Sequence, residues 1–337
     1  MKVLQHISLK PYNTFGIDVT ARQLVEVTSV EDLKEVLQKS YASELFILGG
    51  GSNMLLTKDV EQTILHINLR GKQIIEENQD EVVVEAMAGE NWHEFVMYCI
   101  ERDFGGIENL SLIPGNVGTA PIQNIGAYGV EIKDTFESCT ALDVQTLELR
   151  TFNREDCRFG YRDSIFKNEA KGRYIILSVR FRLTKRDHKL NTSYGSIDLF
   201  LEEKGIKDPG IKDISEAVIS IRQSKLPNPK ELGNSGSFFK NPVISTAELA
   251  DLQKQYPEMP FYVLDEERVK IPAGWLIDRA GLKGYREGDA GVHEKQALVL
   301  VNYGNATGQE ILALSQKIQE RVSDMFNVSI TPEVNIF

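Results

Sequence analysis

Three successive glycines follow an apolar segment in Ile47-Leu48-Gly49-Gly50-Gly51-Ser52-Asn53-Met54-Leu55-Leu56. Glycine allows φ > 0 and lets backbone N–H groups approach an anion with no Cβ in the way. The lysine of a Walker A loop is missing, and the spacing is not that of the Rossmann fingerprint. The stretch therefore predicts an anion-binding loop after a strand, with a tight solvent-exposed turn as the alternative.

A second glycine-rich stretch runs from Ile113 to Val130 and reads IPGNVGTAPIQNIGAYGV. Glycines and prolines alternate there with small and amide residues, a composition that builds no regular element. A buried irregular segment needs partners for its backbone polar groups, and a large polar cofactor could supply them. Together the two stretches predict a clamp for the two halves of a dinucleotide.

Apolar periodicity predicts strands that alternate with helices around these stretches. We expect strands at 22–28, 46–48, 63–67, 82–86, 174–183 and 297–302, and helices at 91–102, 246–255, 273–280 and 308–326. A further helix begins after Ser29, which forms a capping pattern with Asp32, and completes a β-α-β unit that ends in the glycines. A short helical pattern lies within 209–227, and 328–337 is expected to be a strand that pairs back with the N-terminal part. The segment Lys225-Leu226-Pro227-Asn228-Pro229 predicts a rigid break at a domain boundary.

Composition limits the classes of partner. The 337 residues include 49 acidic and 38 basic side chains, giving a net charge of −11. This balance disfavours nucleic acid, because proteins that track phosphate backbones carry the opposite one. No signal-peptide pattern is visible, nor any apolar run of the roughly 20 residues that span a bilayer. We therefore expect a cytoplasmic protein with no membrane partner.

Cysteine and histidine spacing gives no sign of a metal site. The residues concerned are Cys99, Cys139 and Cys157, and His6, His66, His93, His188 and His293. The cysteines lack CxxC spacing and are odd in number, which argues against zinc and against a disulfide framework. We expect no metal, buried thiols in a reducing compartment, and histidines that are structural or exposed.

The two glycine-rich stretches resemble the flavin-binding domain that UDP-N-acetylenolpyruvoylglucosamine reductases share with vanillyl-alcohol-oxidase-like flavoproteins. Three further motifs are similar to the reductase family, type I, in particular: FGYRDSIF at 159–166, GSFFKNP at 236–242 and PEV at 332–334. The resemblance extends from Asn13 to Glu333. It implies a noncovalently bound FAD and NADPH as the hydride donor.

The fold that this resemblance implies is α+β. A two-part FAD-binding domain of the vanillyl-alcohol-oxidase-like type is joined to a smaller α+β substrate-binding domain. The first FAD subdomain is expected at 1–66 with 326–337, the second at 67–222, and the substrate-binding domain at 223–325. The first loop would wrap the FAD pyrophosphate, and the second would run beside the isoalloxazine. The implied FAD-binding residues are Gly49, Gly50, Gly51, Ser52, Asn53, Met54, Pro114, Gly115, Gly118, Thr119, Gln123, Asn124, Gly126 and Ala127.

The implied reaction reduces the enolpyruvyl double bond of UDP-N-acetylglucosamine enolpyruvate and yields UDP-N-acetylmuramate for peptidoglycan. Hydride delivery leaves a carbanion or enolate beside a carboxylate. Arg162 matches the family's cation, and its planar fork pairs bidentately with a carboxylate. Ser237 matches the proton donor to carbon. Glu333 would orient or polarise the intermediate.

The substrate's nucleotide part also has implied partners. These are Tyr194 on a mobile lid, with Lys225, Asn241, Tyr262, Lys270, Lys283 and Gln296. Two positions depart from the family pattern. Asn335 stands where many members have an arginine, which weakens any expectation of a second cation near Glu333. Gln62 stands where a turn glycine is common.

Two other functions remain open on the residues alone. One is a sugar or phenol oxidase of the same flavin superfamily, which has no reason to carry GSFFKNP, FGYRDS and the lysines together. The other is a non-catalytic nucleotide-sugar binding protein, which has no use for two flavin loops and would purify colourless. We expect a monomer whose small-molecule partners are NADPH and the enolpyruvyl nucleotide-sugar.

Overall fold

A computed structural model describes residues 1–39, 44–194 and 196–337. The helices among these residues are α1 Val30–Lys39, α2 Trp92–Ile100, α3 Arg154–Cys157, α4 Ile197–Glu203, α5 Ile211–Lys225, α6 Thr246–Gln253, α7 Ala273–Arg279 and α8 Gly308–Phe326. None of the helices in the described part of the chain is long and apolar enough to cross a membrane.

Most strands are short. They are β1 Lys2–Ser8, β2 Thr20–Val27, β3 Leu45–Leu48, β4 Met54–Leu55, β5 Val60–Ile67, β6 Lys72–Glu77, β7 Glu81–Met87, β8 Gly126–Ala127, β9 Val130–Glu131, β10 Phe136–Asp143, β11 Leu149–Asn153, β12 Tyr174–Thr184, β13 Gly233–Ser237, β14 Val243–Ser245, β15 Tyr262–Val263, β16 Arg268–Lys270, β17 Arg286–Glu287, β18 Ala290–Val292, β19 Val299–Asn302 and β20 Asn335–Ile336. This mixture of helices with separate sheets confirms the α+β class.

The chain forms two compact units. Unit 1 comprises Met1–Ile7, Ala21–Gly50 and Glu61–Gln223. It holds a sheet of order β1-β2-β5-β3 and an antiparallel sheet of order β11-β10-β12-β7-β6. Helix α1 buries Leu33, Val36 and Leu37 in one apolar cluster of this unit. In a second cluster, the rings of Trp92, Phe95 and Phe181 have centroids 5.0–5.9 Å apart.

Unit 2 comprises Ser8–Thr20, Gly51–Val60 and Ser224–Phe337. Its sheets have the orders β13-β19-β18-β17, β14-β16-β15 and β20-β4. Helix α8 packs on β18 and β19 through an apolar stripe that includes Ile311, Leu314 and Ile318. The Thr307 hydroxyl accepts from the N–H of Glu310 at 3.2 Å and caps the helix.

Most predicted elements are confirmed within a few residues, including α1, α2, α6, α7 and α8. The expected strand at 328–337 is wrong in extent, because only Asn335–Ile336 pairs in a ladder, parallel to β4. Pro332 has no N–H to donate to a ladder. The N–H of Glu333 donates to the carbonyl of Phe238, the residue that follows β13 in the sequence. The two strands of the expected β-α-β unit, β2 and β3, are not neighbours in the sheet, because β5 lies between them.

The compact units do not coincide with the expected domains in every segment. The chain passes from unit 1 to unit 2 between Gln223 and Ser224, near the predicted boundary. Residues 8–20, 51–60 and 326–337, expected in the first FAD subdomain, belong to unit 2. The functional roles given to the domains stay predictions.

Candidate active site

The expected site residues divide between the units. Unit 1 carries Gly49, Gly50, Pro114, Gly115, Gly118, Thr119, Gln123, Asn124, Gly126, Ala127, Arg162 and Tyr194. Unit 2 carries Gly51, Ser52, Asn53, Met54, Lys225, Ser237, Asn241, Tyr262, Lys270, Lys283, Gln296 and Glu333.

The first glycine loop follows β3, and its first two glycines pack against the second loop. A Cβ at Gly49 would lie 2.6 Å from Thr119 Cγ2. A Cβ at Gly50 would lie 2.8 Å from Asn116 Oδ1 and 3.0 Å from Gly115 Cα. Contacts this short exclude a side chain without rearrangement, so the close approach of the two loops requires glycine. The two stretches singled out in the sequence therefore meet in unit 1.

The same loop leaves amide groups without partners. Among the described residues, the N–H groups of Gly50, Gly51 and Ser52 donate no hydrogen bond. Successive unpaired amides beside glycines are the chemistry with which loops hold phosphate oxygens. These residues thus fit the pyrophosphate of FAD.

In unit 2, the end of the first loop is fixed by the C-terminal segment. The carbonyl of Asn53 accepts from Asn335 twice, from the backbone N–H at 3.2 Å and from Nδ2 at 2.9 Å. The carbonyl of Met54 accepts from the Ser235 hydroxyl at 3.3 Å. Asn335 therefore positions the end of the first loop and adds no charge there.

The second loop contains a 3-10 helix at Val117–Gln123. The N–H of Gly118 donates to the carbonyl of Ala88 at 3.0 Å, and the carbonyl of Gly115 accepts from the N–H of Trp92 at 2.9 Å. Asn124 is fully buried with φ of +44°. Its amide donates to the Glu131 carboxylate at 3.0 Å and to the Gly160 carbonyl at 2.9 Å. The side chain of Asn124 thus ties the end of the second loop to Glu131 and to Gly160.

Arg162 lies against the second loop. It is half-buried, with φ of +55°, a left-handed conformation that costs free energy in a residue other than glycine. Its Nη2 donates to the carbonyl of Gly126 at 2.6 Å. Ser164 adds a 2.7 Å bond from its hydroxyl to the carbonyl of Ile122. The FGYRDS turn is therefore fastened to the expected flavin loop, with its cation at the loop surface.

The segments that carry Ser237 and Glu333 are joined by backbone hydrogen bonds in unit 2. The N–H of Glu333 donates to the carbonyl of Phe238 at 2.7 Å, and the N–H of Lys240 donates to the carbonyl of Thr331 at 2.9 Å. Phe238 and Phe239 are buried and anchor these two hydrogen-bonded segments. Ser237, in contrast, is exposed, and it follows Gly236, whose φ is +69°. Two residues far apart in sequence are thus placed in one hydrogen-bonded segment.

Tyr194 lies in unit 1, 46% exposed, with its ring edge-on to Tyr128 at 6.4 Å. Its segment is anchored by Asn109, whose amide donates to the carbonyls of Asn191 at 2.8 Å and Tyr128 at 3.1 Å. Gly195, part of the expected lid motif, lies outside the described residues. Tyr194 is thus joined to the second loop through Tyr128.

The remaining expected substrate residues form two groups in unit 2. Tyr262 pairs with Lys270 across β15 and β16, and the ammonium lies 5.5 Å from the ring centroid. Asn241 and Gln296 flank α7. The Asn241 side chain accepts from the N–H of Ala273 at 2.9 Å, and a Cβ at Gly274 would lie 3.3 Å from Gln296 Oε1.

Two of the expected lysines are exposed. Lys283 donates to Asp278 at 2.9 Å, an ion pair that a substrate phosphate would have to compete with. Lys225 is exposed at the end of α5. No group of three or more histidine, cysteine or acidic side chains within the described ranges could hold a metal ion.

Sequence reasoning missed Arg222, on the last turn of α5. Its Nε is buried and lacks a hydrogen-bond partner among the described residues. Burial lowers the pKa of the guanidinium, and repulsion by Arg162 lowers it further. Arg222 follows Ile211, Ile214, Val218 and Ile221 on the apolar face of α5, so an arginine at a core-facing position was the available signal.

The charge of Arg222 acts on two titratable side chains, those of His93 and Tyr128. Burial lowers the pKa of the His93 imidazole, and the charge of Arg222 lowers it further. His93 Nδ1 accepts the N–H of Leu112 at 3.0 Å, just before the second loop. Burial raises the pKa of the Tyr128 hydroxyl. At neutral pH, the charge of Arg222 therefore acts on a neutral imidazole and a neutral phenol.

Comparison with known proteins agrees with this geometry. A family profile described as FAD binding domain matches residues 21–148. A crystal structure of UDP-N-acetylenolpyruvylglucosamine reductase from Thermus caldophilus shares the fold, with a TM-score of 0.69 and 24% identity over 100% of this chain and 99% of that one. The profile match and the shared fold together define a protein with an FAD-binding domain.

Proteins with similar sequences identify the family. A curated UDP-N-acetylenolpyruvoylglucosamine reductase from Flavobacterium johnsoniae is 59% identical over 336 residues, 100% of both chains. One from Pseudomonas aeruginosa is 50% identical over 339 residues, covering 100% of this chain and 99% of its own. The C-terminal domain profile of this reductase matches residues 228–337. The chain belongs to the UDP-N-acetylenolpyruvoylglucosamine reductase family, whose members serve peptidoglycan precursor synthesis.

Proposed function

We propose that this chain reduces UDP-N-acetylglucosamine enolpyruvate to UDP-N-acetylmuramate with NADPH. The observation that supports the proposal is the hydrogen bond from Arg162 Nη2 to the Gly126 carbonyl, which holds a cation against the second glycine loop. Bound FAD would supply hydride transfer between NADPH and the substrate. The first loop would hold its pyrophosphate, and the second would border its isoalloxazine.

Arg162 would bind the carboxylate of the enolpyruvyl group. A guanidinium pairs bidentately with a carboxylate and keeps its charge at any working pH. When hydride adds to the methylene carbon, negative charge spreads from the adjacent carbon into that carboxylate. A fixed cation stabilises this charge more than the ground state, which lowers the barrier.

Ser237 would then donate its hydroxyl proton to the carbon next to the carboxylate. The new C–H bond forms as the O–H bond breaks, and the serine regains a proton from solvent. A free serine is a weak acid, so the neighbouring Glu333, fixed by its bond to Phe238, would orient or polarise the intermediate.

The nucleotide part of the substrate would be held in unit 2. Lys270 stands over Tyr262, a pair that offers both a cation and an aromatic face. Lys225, Lys283, Asn241 and Gln296 would add contacts, and Tyr194 would act as a lid residue. Action in the cytoplasm and a monomeric state stay predictions.

Turnover of the purified protein tests the proposal. With NADPH and the enolpyruvyl nucleotide-sugar under anaerobic conditions, mass spectrometry should show a product heavier by two hydrogens, with one NADPH consumed per product. An oxidase would instead consume oxygen with a sugar or phenol. A binding protein would take up the nucleotide-sugar without consuming NADPH. Either of the last two results contradicts the proposal.

A further inference from the structure

Arg162 lies at the tip of a two-residue turn in unit 1. Gly160 and Asp163 bond to each other in both directions, with N···O distances of 3.0 Å from the N–H of Gly160 and 3.3 Å from the N–H of Asp163. Tyr161 and Arg162 are therefore the central residues of the turn. The buried Asn124 amide also donates to the carbonyl of Gly160 at 2.9 Å, which ties the base of the turn to the second loop.

The backbone conformation of Arg162 is one that glycine adopts most easily. Of the two central residues of the turn, Arg162 is the one with a positive φ, +55°. A turn in which only the second central residue is left-handed normally takes glycine or asparagine there, because a larger side chain costs free energy. Strain of this kind persists where the surroundings hold it, and it gathers at functional sites. An arginine at this position therefore points to a use for its side chain and to a support for the turn.

Lys167 supplies that support at the strained residue itself. Lys167 is half-buried, and its ammonium donates to the carbonyl of Arg162 at 3.2 Å. Asn168 adds two bonds from one amide, to Asp163 Oδ1 and to the carbonyl of Ser164, both at 3.0 Å. A hydrogen bond from a charged donor is roughly twice as strong as a neutral one, so the ammonium contributes the stronger hold.

Arg162 is thus held at both of its ends. Lys167 fixes its carbonyl, and Nη2 of its guanidinium donates to the carbonyl of Gly126 at 2.6 Å. We propose that Lys167 is a positioning residue for Arg162, because its ammonium keeps the strained turn closed and so holds the guanidinium where the substrate's carboxylate binds. The inference rests on the proposed function, in which Arg162 binds that carboxylate.

Two other roles for Lys167 give different patterns of loss. A lysine that only stabilised unit 1 would act on every step that requires the folded protein. A lysine that contacted the nucleotide-sugar directly would act whether or not the guanidinium of Arg162 was present. Positioning through Arg162 predicts a loss that is confined to the reaction with the substrate and that disappears when the guanidinium is removed.

Single-turnover kinetics separate these roles. Lys167→Met removes the ammonium at similar length, and Lys167→Arg keeps a charged donor. Under anaerobic conditions, reoxidation of the flavin by the enolpyruvyl nucleotide-sugar should slow about tenfold or more in Lys167→Met, as expected for loss of a hydrogen bond from a charged group. Flavin reduction by NADPH should stay near the wild-type rate, and Lys167→Arg should recover most of the reoxidation rate.

Lys185→Met is the matched control. Lys185 also lies in unit 1, and its ammonium likewise donates to a backbone carbonyl, that of Asn78 at 2.9 Å. The control should lower the melting temperature and leave reoxidation unchanged. The same slowing in Lys185→Met as in Lys167→Met, or an unchanged rate in Lys167→Met, would overturn the proposal.

A double-mutant cycle with Arg162→Met tests whether Lys167 acts through the guanidinium. In the Arg162→Met background, Lys167→Met should slow reoxidation by no more than about twofold further, because residues that act through each other are not additive. Equal slowing in both backgrounds would show that Lys167 acts on the substrate itself, which contradicts the proposal.

Hydrogen exchange tests the turn without any turnover. The N–H of Asp163 closes the turn onto the carbonyl of Gly160, so its exchange reports each opening. In the FAD-bound protein without substrate, this N–H should exchange about tenfold faster in Lys167→Met than in the wild type or in Lys185→Met. Unchanged exchange in Lys167→Met would contradict the support of the turn. Faster exchange, in a protein whose wild type does not turn over the nucleotide-sugar, would contradict the proposed function alone.

Discussion

The backbone N–H of Glu333 donates to the carbonyl of Phe238 at 2.7 Å, which joins the C-terminal segment to the residue after Ser237. The rings of Phe238 and Phe239, 5.1 Å apart, anchor this contact in the interior. Phe15 of the Asn13-Thr14-Phe15-Gly16 motif packs against Phe238 with a centroid distance of 6.2 Å. The proposed proton donor and its acidic neighbour are therefore held by a rigid frame in unit 2.

The protein should purify yellow with FAD that is not covalently attached. The stretch LGGGSN has no histidine, cysteine or tyrosine to form a flavin bond, and Tyr128 is the one such residue in the second stretch. Acid precipitation should release all the flavin into the supernatant. Colour that stays with the pellet would contradict this expectation.

Gly50→Ala should reduce FAD content. Its Cβ would press on Gly115 Cα at 3.0 Å and separate the two loops. Overpacking of this kind costs about 1–3 kcal/mol, and the loss should appear as both weaker FAD binding and a lower melting temperature. Gly210→Ala is the control, because its nearest neighbour would be Asp213 Oδ2 at 3.7 Å. Equal FAD content in both variants would remove Gly50 from the cofactor site.

Tyr194→Phe should raise the KM for the nucleotide-sugar and leave FAD content and flavin reduction by NADPH near normal. Phenylalanine keeps the ring contact with Tyr128 and removes only the hydroxyl. Lids act mainly on binding and commitment of the substrate. Tyr303→Phe serves as a control, since its ring packs under Arg286 at 4.0 Å. Unchanged steady-state kinetics in Tyr194→Phe would exclude the lid role.

Unfolding free energy should fall as the pH drops below about 6.5, in part through His93. Its pKa is lower in the folded protein than the ordinary 6.5, so between the two values the unfolded chain binds more protons. The stabilisation is thus complete above pH 6.5 and is lost as the pH falls through the folded pKa.

Urea midpoints at neutral and mildly acidic pH measure this effect. His93→Asn keeps an acceptor for the N–H of Leu112 without the titration, so its stability should depend less steeply on pH than that of the wild type. His6→Asn, at an exposed position, is the control. Identical pH dependence of His93→Asn and wild type would contradict the assignment.

Periodic elements were predictable because their residues carry the signal locally. Helix α8 has its apolar stripe, its Thr307 cap and a left-handed Asn327 at its end, and its predicted bounds are those observed. Strand β13, GNSGS, was not predicted, because its few small residues have no apolar alternation. It is held instead by pairing with β19.

The site was predictable in its residue types more than in its contacts. Motif resemblance proposed Arg162, Ser237 and Glu333 for the site, and their roles stay predictions. It could not predict the hydrogen bonds of the Asn124 and Asn335 side chains, because their partners are distant in sequence. Arg222 was missed because a single arginine in an amphipathic helix is usually a surface charge, and only its surroundings distinguish it.

The hydroxyl of Ser237 should matter to one half-reaction only. Flavin reduction by NADPH requires positioned cofactors but no proton donor at the substrate carbon. Protonation of the enolate requires one, because an unprotonated enolate can return its hydride. General acid catalysis of this kind contributes about 10²–10⁴-fold. As a control, Ser235→Ala loses a hydroxyl that donates to the Met54 carbonyl, which should cost about 1 kcal/mol of stability and spare the chemistry.

Anaerobic stopped flow of Ser237→Ala tests whether Ser237 is the proton donor. NADPH should bleach the flavin at close to the wild-type rate. Reoxidation by the enolpyruvyl nucleotide-sugar should then slow by a factor of about 100 or more. Reoxidation as fast as in the wild type would show that Ser237 is not the proton donor, and equal slowing of both steps would show that it positions the cofactor instead.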